Sequence, residues 1–116
     1  MDKGLGERLF KFAVDTIKFI GTFPKLPEAN IIRYQLAKSS TSSGANYEEA
    51  QAASSRPDFS NKMKISLREM RESNYWLKIC ISVKFGDRKE VKRLFKESSE
   101  LKNILGSICS KLKTNF

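Results

Sequence analysis

Apolar residues recur at intervals of three and four along most of this chain, and proline or glycine breaks the rhythm at FPKLP, SRP and FGD, so the pattern predicts four helices. The block over residues 58–85 is the most informative. Met63, Ser66, Met70, Ser73, Leu77 and Cys80 form one stripe, and Ile65, Glu69, Glu72, Trp76, Ile79 and Val83 a second. Both are apolar enough to be at least partly buried. The third stripe, Lys64, Arg68, Arg71, Tyr75, Lys78 and Ser82, is basic and polar and falls to water or to a ligand. A helix apolar on two of three sides needs neighbours on both.

The other blocks supply those neighbours. Over residues 6–23, Leu9, Phe12, Ala13, Ile17 and Ile20 repeat at helical spacing with Lys11, Asp15 and Lys18 opposite. Pro24 ends this helix, and Pro27 with Glu28 suits the first turn of the next. Over residues 28–55 the signals conflict. The stretch SSTSSGAN lacks about 3–4 kcal/mol of helix propensity relative to alanine, which reads locally as a linker. The alternative is one continuous helix whose small polar middle lies close to another helix, with Ile32, Gln35, Ser39, Ser42, Asn46, Glu49 and Ala53 as its seam. Propensity does not decide between them. Asp58 or Ser60 is expected to cap the third helix, Gly86 to end it, and Asp87 with Glu90 to open the fourth. That fourth helix, 88–113, carries Val91, Leu94, Phe95, Leu101, Leu105, Ile108 and Leu112 as a core stripe interrupted by Ser98. Gly106 is expected to mark a close approach. The fold class is therefore all-α: a single domain over 1–116, an antiparallel up-down-up-down four-helix bundle with helices near 6–23, 28–55, 58–85 and 88–113.

Composition narrows the chemistry. There is no histidine, so the ordinary triads and the common zinc, haem and di-iron bundle sites have no ligand set, and no cofactor is expected. Cys80 and Cys109 fall at apolar helical positions and read as reduced core residues. No apolar run is long enough to span a membrane, and the charges of the first twenty residues do not fit a signal peptide, so the expected location is cytoplasmic. The net charge of +9 is uneven. Residues 1–60 hold 8 Lys+Arg against 7 Asp+Glu, and residues 61–116 hold 14 against 6. A polyanionic partner and a solvated lysine-rich surface both account for that asymmetry.

Two stretches, SSTSSGANYEEA (39–50) and DFSNKMKISLREMRESNYWL (58–77), resemble the signature of the four helix bundle protein family whose founding members are encoded by intervening sequences in bacterial large-subunit ribosomal RNA genes. The likeness extends over Leu9 to Phe85, and the fourth helix resembles the family in kind. Lys38 opens the family's basic-Ser-x-x-Ser pattern here, a mild departure. The resemblance implies a continuous second helix and assembly as a ring-shaped homopentamer. A more distant likeness, to the accessory protein of diversity-generating retroelements, implies nucleic acid and a reverse transcriptase as partners.

Three constellations follow. Glu69 and Glu72, with Glu48 and Glu49 on the facing helix, read either as metal ligands or acid–base groups, or as a structural polar layer with Ser39, Ser42 and Asn46; the lack of histidine favours the layer. Tyr47, Tyr75 and Trp76 read as base-stacking groups or as aromatics packed between helices. Arg88, Lys89, Lys92, Arg93 and Lys96 share a face by spacing and, with Arg68, Arg71 and Lys78, form the candidate phosphate-binding surface. The expected function is a non-enzymatic, oligomeric bundle binding RNA or DNA through phosphates. The alternative is a protein-interaction scaffold whose basic face meets an acidic partner, followed by a carboxylate-based metal enzyme.

Overall fold

The computed structural model describes residues 3–115, which form α1 (Lys3–Ile20), α2 (Pro27–Gln51), α3 (Arg56–Val83) and α4 (Arg88–Asn115). Short connections turn the chain back on itself after each helix. Around the bundle, α1 packs on α2 and α4, and α3 packs on α2 and α4, with no close backbone approach across either diagonal among the described residues. The α1/α2 face and the α3/α4 face therefore lie on opposite sides. The bundle measures 46 × 21 × 21 Å, its long axis set by helices of 28 residues that rise about 42 Å.

Leu9, Phe12 and Phe19 of α1 meet Leu36 of α2, Met63, Met70 and Leu77 of α3, and Leu94, Leu101 and Leu105 of α4 in one fully buried core. The first stripe expected on α3 is buried throughout, and the third is exposed throughout. On α1 the expectation shifts: Phe19 and Thr16 turn inward and Ile17 is 45% exposed. Val83, placed in α3's second stripe, is likewise exposed at 48%.

The second helix runs unbroken through its serines. Ser43 and Ser66 bond reciprocally, each hydroxyl donating to the other's backbone carbonyl at 2.8 and 2.7 Å, and Ser39 and Ser73 share a 2.7 Å hydroxyl contact one turn away. Side chains this small bring α2 and α3 close, and the cross-helix bonds offset the poor local propensity. Gly44 does the same toward α1, where an added Cβ would touch the Leu9 Cβ at 3.4 Å. These contacts correct the expected seam. The interior positions of α2 are Ala29, Leu36, Ser39, Ser40, Ser43, Tyr47 and Ala50. Glu49 is exposed, and Ser42 and Asn46 are only half-buried.

The helix ends differ in detail from expectation. Ser55, extended at φ −156°, caps α3 by accepting the Asp58 amide at 3.2 Å, so that Pro57 and Asp58 lie inside the first turn. At the other end of α3 the chain turns through two left-handed residues, Lys84 (φ 62°) and Gly86 (φ 82°). Asp87 accepts the Glu90 amide at 2.8 Å as expected, while its own amide donates to Thr22 Oγ1 at 2.9 Å. Thr22 in turn donates to the Phe19 carbonyl at 2.6 Å, which ties the α1–α2 connection to the start of α4. Gly106 marks no close approach: a Cβ there would meet nothing within 4 Å.

Candidate nucleic-acid interface

The basic stripe of α3 gains its meaning from what lies beside it. Asn74 of α3 donates to Ser98 Oγ at 2.8 Å and Ser99 Oγ at 3.0 Å on α4, and Lys102 Nζ donates to Asn74 Oδ1 at 3.4 Å. This cluster fixes the α3/α4 register and places Gly106 opposite the cations of α3. With no side chain to fill the space, a groove of about 540 Å³ opens there, lined by Lys64, Arg68, Arg71, Gly106, Cys109 and Lys113 among others. Along α4, Arg88, Lys92, Ser99, Gly106 and Lys113 fall on the flank toward α3 by spacing, so cations stand on both banks.

Most of these cations form no ion pair among the described residues. Among the described residues no carboxylate pairs with Lys64, Arg71, Lys78, Arg88, Lys89, Lys92, Lys96 or Lys113, and Arg68 meets Glu69 only at 3.8 Å. Arg93 departs from the expected patch. It turns toward α1, where it donates to Asp15 at 2.8 Å, and it forks onto Glu90 at 2.8 and 2.6 Å. Lys11 reaches the same Asp15 oxygen at 2.9 Å. Arg8 holds Glu97 and Glu100 in the same way at 2.7 and 3.0 Å. The α1/α4 seam is thus a line of ion pairs, and its cations are already committed. Burial pushes the Asp15 carboxyl up, but its bonds from Lys11 and Arg93 outweigh that and hold it below the usual value.

The carboxylates expected in a buried layer do not gather inside: Glu49 is exposed, while Glu69 and Glu72 are half-buried on α3. Glu72 accepts the Trp76 indole N–H at 3.1 Å, Glu69 has Arg68, and Asn46 bonds back to Ser42 at 2.9 Å. The buried polar layer consists of serines, with Ser39 kept and Ser43, Ser66 and Ser73 added. A stripe drawn one residue later on α2, through Leu36, Ser43, Tyr47 and Ala50, would have found it. The aromatics divide: Tyr47 is buried, Trp76 half-buried, and Tyr75 exposed at 57%. Lys64, read only as part of the third stripe, and Lys113, not singled out at all, join the groove.

Neither thiol is poised for chemistry. Burial pushes Cys80 up to about 12, and burial also raises Cys109 despite the opposing pull of Lys64, Lys113 and Arg71. Among the described residues no three Cys, Asp or Glu side chains gather so as to hold a metal ion. No described helix is long and apolar enough to cross a membrane.

No curated protein matches the chain. A solved structure of a protein of unknown function from the S23 ribosomal protein family of Bacteroides thetaiotaomicron is similar, with a TM-score of 0.81 and 31% identity over 90% of this chain and 97% of that one. Residues 6–107 match the family described as 23S rRNA-intervening sequence protein, a span that includes α2 and α3 whole and most of α1 and α4. With that match spanning most of its length, the chain belongs to the 23S rRNA-intervening sequence protein family.

Proposed function

We propose that the protein is a non-enzymatic, homo-oligomeric helical bundle, a pentamer in its assembled form, that binds RNA or DNA phosphates along its α3/α4 face. The observation that carries this reading is the α3/α4 groove, where Lys64, Arg71 and Lys113 converge without a paired carboxylate among the described residues. Like charges gathered without counter-charges repel one another, and a polyanion relieves that repulsion while releasing its own counterions.

Oligomer formation draws on the opposite side. There a groove of about 350 Å³ between α1 and α2 is lined almost wholly by apolar groups, with Phe10 exposed at 71% and Ile17 at 45%. Exposed apolar surface of this kind favours association. A pentameric ring joins each copy to its neighbours through two different patches, so the α1/α2 groove would supply one side of the contact, and the ring would repeat the α3/α4 cations by symmetry.

Light scattering on the protein alone and with a short RNA and a short DNA duplex, at low and raised salt, tests both parts. A pentamer that takes up nucleic acid and releases it steeply as salt rises is the expected result; each phosphate neutralised adds about 0.9 to the log–log slope on B-DNA. A monomer at working concentration overturns the assembly. An oligomer that ignores nucleic acid at low salt overturns the phosphate reading and transfers the basic face to an acidic protein.

A further inference from the structure

We propose that Tyr75 is a base-stacking platform and that the α3/α4 face selects single-stranded over duplex nucleic acid. The inference rests on the phosphate-binding reading above and adds the group that distinguishes between strands. Tyr75 is 57% exposed, on the same outward row as Arg71, four residues before it, and Lys78, three after. Residues at those spacings are neighbours on a helix surface, so an open aromatic ring stands between two cations without paired carboxylates. One of them, Arg71, also lines the groove beside Gly106, so the ring stands about one helical turn from that opening.

The ring is held as well as exposed. Tyr75 meets the Trp76 ring edge-on at 5.4 Å between centroids, and Trp76 is in turn anchored by its indole N–H on Glu72 at 3.1 Å. A fixed ring loses little freedom when a base settles on it. The alternative use of an exposed tyrosine, packing at a subunit contact, would also cover Arg71 and Lys78 and would require acidic groups facing them on the other copy. In a duplex the bases are stacked on one another and offer this ring no face; in a single strand each base has one.

The test is anisotropy of a labelled oligouridylate and oligothymidylate, each of about 12 nucleotides, beside a duplex of the same length and a single strand with abasic sites. Both single strands are expected to bind more tightly than the duplex, because the ring reads the base and not the sugar. Tyr75→Ala should weaken single-strand binding about tenfold with the salt slope unchanged, while Tyr75→Phe keeps it. The abasic strand should lose a similar factor and ignore Tyr75→Ala. Emission of Trp76, the sole tryptophan, should change on binding. Wild-type affinity in Tyr75→Ala, or an abasic strand bound as tightly as the intact one, overturns the stacking role and leaves phosphate binding standing. Failure of every nucleic acid to bind at low salt overturns the phosphate reading, and this inference with it.

Discussion

Ser43 of α2 and Ser66 of α3 each donate a hydroxyl to the other's backbone carbonyl, at 2.8 and 2.7 Å. Both residues are fully buried, so neither hydroxyl has water to fall back on. Ser43→Ala or Ser66→Ala should each cost about 1 kcal/mol in urea denaturation. The double variant should differ from the sum by at least about 0.5 kcal/mol, since the two hydroxyls also lie 3.3 Å from each other and belong to one network. Ser43→Leu should cost more than either, because the side chain has no room between helices drawn this close. Additive alanine variants would show that the two bonds do not act as a unit.

Gly86, in the connection between α3 and α4, and Gly106, inside α4, stand in opposite situations. At Gly86 the backbone is left-handed at φ 82°, and an added Cβ would lie 2.6 Å from the Phe19 ring. Gly86→Ala should therefore destabilise by about 2 kcal/mol or more. Gly106→Ala meets open space and should stabilise by about 0.5–1 kcal/mol. Thermal unfolding of the two variants beside the wild type checks both signs, and a stabilising Gly86→Ala would refute the steric account.

Four helices, their three breaks and the chemistry of α3's three sides were legible because each follows from periodicity within one segment. The continuity of α2 was not, since what overrides its serines is a set of bonds from Ser39 and Ser43 to Ser73 and Ser66 on another helix. The same limit explains Arg93. Its spacing from Lys89 and Lys92 is that of a shared basic face, yet its flank of α4 also carries Glu90, Glu97 and Glu100, opposite Arg8 and Asp15 of α1. That alternating flank was present in the chain, but its partner helix was not. The groove at Gly106 escaped notice for a related reason: a glycine in a helix signals equally a neighbour that comes close and a space that nothing fills.

Asp15 links stability to pH. Its carboxyl titrates below the ordinary value because Lys11 and Arg93 favour the charged form more than burial disfavours it. A carboxylate whose folded value is depressed contributes stability above its unfolded value and loses it as pH falls through the folded one. Asp15→Asn should therefore lower the urea midpoint near neutral pH, and the difference from wild type should shrink as the pH falls through and below the ordinary carboxylate range. Arg93→Gln should reproduce part of the loss while leaving RNA affinity nearly unchanged, whereas Arg71→Gln should do the reverse. A large loss of RNA binding in Arg93→Gln would return that residue to the interface.

Thr16 offers the converse case, a polar group whose removal should help. It is fully buried in α1, and its Oγ1 has no hydrogen-bond partner among the described residues. Burying a hydroxyl unbonded costs about 1–3 kcal/mol, so Thr16→Val, which keeps the shape and removes the polar atom, should stabilise by about 1 kcal/mol. Thr16→Ser should destabilise, because it keeps the unsatisfied hydroxyl and gives up the methyl that packs beside the core. Trp76 emission gives the readout for both in urea. If valine destabilises instead, the hydroxyl is bonded in solution, and its partner lies within the bundle interior, where Thr16 is fully buried.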